Sequence, residues 1–392
     1  MGSILEAAHI NGLKTGLVVT SRITHATPAS YSAHVLDRDS ENEIAAQQIG
    51  YTHPIGPIVD ILIGGGRRHY LPADKGGNRE DGVNLIDWAV KQGYTYASDK
   101  GEIEESLENG KLPLPFLGLL ADSHLDYEMD RNPEEQPSLQ KNVETGLKTL
   151  AAHTKDCDKG FFLMVEASRI DHAGHANDAA AHVHETLMFN EVMAYLKEYV
   201  AHHPDTQLLS AADHECGGLT LEDGYNPTVL TQAQNSGEQL AELFDKEAGD
   251  DKAGYLRSQM PLYGLNNVTD EEISDFIAVY EESDALTMAA EITNVFAAEA
   301  GLNWSTGGHT AADVQLHGFS ADGKDVSFMR HTLGGNVNNI ELPRYVERAL
   351  GVSMEKATEE LRKDGVDWVQ RRDMLHIIKR DNMLAKKHAH HD

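Results

Sequence analysis

Short apolar runs alternate with longer amphipathic stretches along most of this chain. Thr15-Gly-Leu-Val-Val-Thr20 is β-branched and bounded by turn residues, which predicts a buried strand. Ile58-Val-Asp-Ile-Leu-Ile63, ahead of Gly64-Gly65-Gly66, predicts a second. Leu117–Ala121, Phe161–Val165 and Gln207–Ala212 predict further strands of the same kind. Residues 3–11 read as a short helix closed by Asn11-Gly12. Ser138–His153 places Leu139, Val143, Leu147 and Leu150 on one helical face, and Asp178–Val200 carries a longer helical pattern. Strands alternating with helices predict an α/β fold, with a mostly parallel sheet covered on both faces. Ligands in such folds bind beyond the carboxyl ends of the strands, so polar residues placed there carry most of the functional information.

Residues 222–303 break this rhythm. They hold a Gly/Asn-rich stretch and then an acidic helix opened by Thr269-Asp-Glu-Glu272, a capping-box pattern. They read as an inserted subdomain on a single domain spanning 1–392. The end, Lys386-Lys-His-Ala-His-His-Asp392, reads as a polar tail, and no internal repeat is visible. No apolar run reaches the roughly 18 residues needed to cross a membrane as a helix. Met1-Gly-Ser-Ile-Leu-Glu-Ala-Ala8 has neither a basic nor an apolar leader region and reads as the interior of a domain.

Composition adds two constraints. With 40% apolar and 24% charged residues, the 392-residue chain is an ordinary globular one, but its formal charge is −30. That acidity argues against nucleic acid as a partner. It would also repel a phosphate ester unless bound cations reverse the local field. Cys157 and Cys216 make no disulfide framework, and their state is open. The 21 histidines direct attention to metal ligation.

Four motifs carry candidate ligands. In Val165-Glu-Ala-Ser-Arg-Ile-Asp-His-Ala-Gly-His175, Glu166 ends a buried strand, and Asp171 and His175 share one face of a helical turn. His172 points elsewhere near the same cavity. In Ser210–Gly218, Asp213 and His214 follow an apolar run, and Gly217-Gly218 allows the turn that would let both reach one ion. His309, in Ser305-Thr-Gly-Gly-His-Thr310, would complete a three-ligand zinc site with Asp171 and His175, leaving an open position. In Thr20–Ser30, the Thr27 hydroxyl suits a hard ion shared with Glu166, and Arg38 downstream could fork two phosphoryl oxygens. Each has a plainer reading as well: a polar helix cap, a hydrogen-bonded Asp-His pair in a loop, an exposed loop histidine, a surface ion pair.

These motifs, with Val18-Val-Thr-Ser-Arg-Ile-Thr-His-Ala-Thr-Pro28 and Ala33-His-Val35 ahead of Arg38, occur in an order that resembles the alkaline phosphatase family, of its fungal vacuolar type, over nearly the whole chain. The resemblance implies a three-layer α/β/α sandwich with 222–303 as a crown-type insertion. It implies hydrolysis of phosphate monoesters through a seryl-phosphate. It assigns two zinc ions, one to Asp171, His175 and His309 and one to Asp213 and His214. It gives one magnesium to Thr27 and Glu166. Arg38 would clamp the phosphate, while His25 and His172 would occupy catalytic-site positions that tune metal preference. It further implies a homodimer, and a vacuolar membrane location through an anchor upstream of Met1.

The family's Asp-Gly-Met-Gly turn and its nucleophile motif Asp-Ser-Ala are not in these 392 residues. Asp39-Ser40 and Asp122-Ser123 stand in the wrong order to replace them. The expectation is therefore a family member lacking its N-terminal segment, with little or no turnover of its own. The alternatives are a non-catalytic metal-binding remnant and a phosphodiesterase- or sulfatase-like relative, but Thr27 and Arg38 favour the monoesterase. Asn267-Val-Thr269 and Asn303-Trp-Ser305 fit the glycosylation acceptor pattern.

Overall fold

The structure, a computed structural model, describes residues 1–366 and 368–369; the predicted tail Lys386–Asp392 lies outside them. Strands β1 (Lys14–Arg22), β2 (Ile61–Gly65), β3 (Thr95–Ala97), β4 (Phe116–Leu119) and β5 (Phe161–Glu166) form a parallel sheet in the order β3-β4-β2-β1-β5. Alternation along these strands sorts two cores. Leu17, Val19, Leu62, Leu117 and Leu119 pack with Leu5, Ala45, Ile49 and Ala89 on one face. Val18, Ile61, Ile63 and Phe116 pack with Leu139, Val143, Leu150, Met188 and Val192 on the other. Helices thus cover both faces of the sheet, which is why its strands read as unbroken apolar runs.

The predicted helices form over Leu139–Thr154 and Ala179–His202. The run at 207 forms β6 (Gln207–Ala211) but does not join the parallel sheet; it pairs antiparallel with β11 (Leu316–Ser320). An apolar run encodes burial, and it encodes neither the partner strand nor its direction. Two short ladders follow: β7 (Glu215–Cys216) with β10 (His309–Thr310), and β8 (Leu219–Leu221) with β9 (Leu302–Trp304), both antiparallel.

The β8–β9 ladder sets Leu221 opposite Leu302, so the two ends of the intervening segment meet. Within that segment, helices Gly237–Glu247, Lys252–Gln259, Asp270–Glu282 and Ala285–Glu299 enclose a separate core around Leu240, Phe244, Leu256, Met288, Ile292 and Phe296. Thr269 and Glu272 make the predicted reciprocal cap. Among the described residues no helix is long and apolar enough to cross a membrane.

Candidate metal centre

Three strand ends converge. β1 and β5 are neighbours in register, with Val19 opposite Glu166. Beyond β1 the chain passes His25 into the helix Ala26–Ser32, which carries Thr27. Beyond β5 it turns into the helix Arg169–His175, which carries Asp171, His172 and His175. Beyond β6 come Asp213 and His214, and β7 then pairs with β10 so that His309 faces Cys216. Gly217 and Gly218 make that return possible. Their φ angles are +87° and +58°, and a Cβ on Gly217 would lie 2.5 Å from the Trp304 ring.

Asp171, His175 and His309 meet as the sequence predicted. His175 Nε2 lies 3.5 Å from Asp171 Oδ2, His309 Nε2 lies 3.6 Å from Asp171 Oδ1, and the two Nε2 atoms are 3.1 Å apart. Zinc bound tetrahedrally at about 2.0–2.1 Å separates its N and O ligands by roughly 3.3–3.4 Å, so each of these separations is close to that of atoms sharing one ion, with a different Asp171 oxygen turned to each imidazole. The proton positions fit too. His175 Nδ1–H donates to the Gly307 carbonyl at 2.7 Å, which leaves the Nε2 lone pair pointing at His309. Asp171 Oδ1 is shielded from solvent and accepts no hydrogen bond. A cation would satisfy all of these donors at once.

His214 stacks on His309 with ring centroids 3.5 Å apart. Its Nδ1–H donates to the Glu215 carbonyl at 3.3 Å, so the Nε2 lone pair faces Asp213 Oδ2 at 3.1 Å, a second pair of electron-rich atoms with room for a cation. Glu166 is nearby and half-buried. Burial lifts its carboxyl above the ordinary range, and the charge of Asp213 adds to this; hydrogen bonds from the Ser168, Thr27 and Ser21 hydroxyls oppose it. The Ser168 hydroxyl is 2.7 Å from Glu166 Oε2. An all-oxygen set of this kind suits magnesium.

A third group is formed by His25, His172 and His124. The His124 ring centroid is 4.3 Å from that of His172, and His25 is 5.3 Å from each. Burial pushes His25 down to about 4, helped by the charges of Arg22 and Arg38. Burial also depresses His172 and His124, with Arg169 next in effect on the first and His172 on the second. All three imidazoles are therefore neutral at neutral pH. Arg38 is exposed on the loop above and reaches this group, its Nη2 lying 3.2 Å from His25 Nε2.

The sequence reading missed three features. His124 lies in the loop beyond β4, and Asp122-Ser123 drew attention only as a possible nucleophile. Cys216 stands among the ligand atoms of Asp171, His175 and His309. Without a bound cation, burial and the Asp171 charge push its thiol up to about 12, and neither it nor Cys157 is in a disulfide. Glu6, His34 and His53 also converge, away from the strand ends. There Ile55 N–H donates to His53 Nδ1 at 3.2 Å, which puts the ring proton on Nε2, aimed at Glu6 Oε1 2.9 Å away. That cluster is a hydrogen-bonded core carboxylate rather than a ready metal site.

Carboxylates and imidazoles gathered beyond the strand ends put a candidate metal centre where α/β folds bind their ligands. The family model for alkaline phosphatase matches residues 1–352, and the chain belongs to that family. The repressible alkaline phosphatase of Saccharomyces cerevisiae is 37% identical over 391 residues, covering 92% of this chain and 68% of the yeast protein. The alkaline phosphatase of Schizosaccharomyces pombe is 38% identical with the same coverage, 92% and 68%. The crystal structure of Thermus thermophilus alkaline phosphatase matches with a TM-score of 0.74 at 29% identity, over 93% of this chain and 78% of that one. A cold-active alkaline phosphatase from Shewanella sp. shares the fold, with a TM-score of 0.70 at 24% identity, over 90% and 78%.

Proposed function

We propose that the protein binds phosphate monoesters, and serves their hydrolysis, through cations held at three adjoining positions. Asp171, His175 and His309 would hold one zinc, Asp213 and His214 a second, and Thr27 with Glu166 a magnesium. The observation that carries this reading is the convergence of Asp171, His175 and His309, with an Asp171 Oδ1 that accepts no hydrogen bond. When bound, such cations supply Lewis-acid stabilisation of phosphoryl oxygens.

The chain's own residues complete the site. Arg38 presents a fixed fork of donors for two phosphoryl oxygens and is held near the cavity by His25. The neutral His25, His124 and His172 neither repel the cations nor neutralise a dianion; they orient it by single hydrogen bonds. The surrounding charge of −30 would keep anions away without the ions, so the metals decide whether phosphate enters at all. The homodimer, the vacuolar location and the reading of 222–303 as an insertion stay within this proposal on the family resemblance. Light scattering, imaging of a tagged protein and limited proteolysis test them in turn.

The direct experiment is calorimetric titration of inorganic phosphate into protein loaded with zinc and magnesium. Binding is expected, and is expected to vanish with chelator or with His309→Ala. Loaded wild-type protein that binds no phosphate would overturn the proposal. Because the family's serine lies in an Asp-Ser-Ala context absent from these 392 residues, turnover of p-nitrophenyl phosphate by this chain alone is expected to be far below the usual enzymatic range of about 1–1000 s⁻¹. Turnover within that range, abolished by His309→Ala, would mean that a different group attacks.

A further inference from the structure

Two residues away from the first candidate ligand sits a fully buried cation. Arg169 opens the helix Arg169–His175 and is only 1% exposed. Its guanidinium lies 3.8 Å over the Tyr127 ring, and its Nη2 donates to both carboxylate oxygens of Glu238 at 2.7 Å each. Glu238, its side chain 42% exposed, lies in the first turn of the helix Gly237–Glu247, which packs into the separate core. The two residues before it are tied down as well. Ser236 N–H donates to Asp130 Oδ1 at 2.9 Å, and Gly237 N–H donates to Asp178 Oδ2 at 2.7 Å. Asp178 in turn caps the helix Ala179–His202, accepting from Ala181 N–H at 3.0 Å.

Arg169 and Asp178 therefore bracket the ligand helix, one at its start and one just past its end. Both are held by the same turn of the 222–303 segment. The bracketed helix is only seven residues long, too short to keep its own geometry. A metal site needs its ligands held to about half an ångström, and here that precision has to come from the anchors at the helix ends.

We propose that Glu238 and Arg169 are positioning residues for the first cation site. Through them, and through Asp178, the 222–303 segment latches the ligand helix and sets how firmly Asp171 and His175 grip their ion. This rests on the zinc reading given above. Glu238→Gln keeps the shape and removes the charge that pairs Arg169; Glu242→Gln, on the same helix at a 57% exposed side chain, is the control. In full-length protein, zinc release to a chromogenic chelator is followed alongside the visible spectrum of the cobalt-loaded protein and the melting temperature of the metal-free protein. Glu238→Gln is expected to release zinc about tenfold faster than wild type or Glu242→Gln and to alter the cobalt spectrum. Arg169→Lys, which keeps the charge but loses the guanidinium plane over Tyr127 and its Nη2 contact to Glu238, is measured in the same way and should shift in the same direction, so a poorly folding Glu238→Gln does not end the test. A lowered metal-free melting temperature with unchanged release and spectrum in these variants would mean a merely structural ion pair and overturn the latch. Wild-type protein that takes up no zinc would overturn the site reading beneath it.

Discussion

Glu6→Gln is the most quantitative perturbation the structure offers. Glu6 is buried beneath the arm that carries Thr27 and Arg38, where His34 Nε2 and His53 Nε2 each lie 2.9 Å from its Oε1 and Ser3 N–H donates to its Oε2 at 2.6 Å. Burial alone would raise this carboxyl, but the hydrogen bonds from His34 and His53 outweigh it and push it down to about 2 from an ordinary 4.5. That gap corresponds to about 3 kcal/mol of stability. Because the folded value lies below the unfolded one, this contribution is complete above the ordinary carboxylate range and is lost as pH falls toward about 2. Urea unfolding of metal-free wild type and Glu6→Gln should differ by about 2–3 kcal/mol at pH 7, and by progressively less below about pH 4.5. A difference that stays constant from neutral pH into the acid range, or one below about 0.5 kcal/mol, would refute the assignment of an ionised core carboxylate.

Three further outcomes are expected. Gly217→Ala forces a side chain onto a backbone at φ +87° and into the Trp304 ring, so stability should fall by about 1–3 kcal/mol and the zinc assigned to Asp213 and His214 should be lost; a wild-type melt with full zinc would refute this. In metal-free protein iodoacetamide should label the exposed Cys157 well before the half-buried Cys216, whose thiol is pushed up to about 12; equal labelling of the two by peptide mass spectrometry would contradict this. His25, pushed down to about 4, should show no imidazole titration by NMR between about pH 6 and 8 in metal-free protein, and a midpoint near the ordinary value would contradict its burial between Arg22 and Arg38.

Features that depend on local periodicity were legible in the sequence. β1 and β5 announce themselves as apolar runs because both faces of the sheet are covered, and Asp171 with His175 follow from helical spacing. The glycine pair after His214 is legible because few other residues accept that turn. Features set by strand pairing across long separations were not. Cys216 meets His309 only because β7 pairs with β10, and β6 finds β11 instead of the main sheet. His124 joins His25 and His172 because the loop after β4 crosses the end of β2 to bond β1, through Leu125 N–H to Thr20 O and Arg22 N–H to His124 Nδ1. Glu238 reaches Arg169 through the docking of one core on another, which no motif in either segment encodes.

Asp171, His175 and His309 are proposed to bind one metal ion as a set. The measurement that tests it most directly is the metal content of purified protein, by plasma mass spectrometry, after zinc and magnesium loading and gel filtration. Two zinc ions and one magnesium per chain are expected, with one zinc fewer in His309→Ala. Protein that retains no zinc, or His309→Ala that retains as much zinc as wild type, would contradict it.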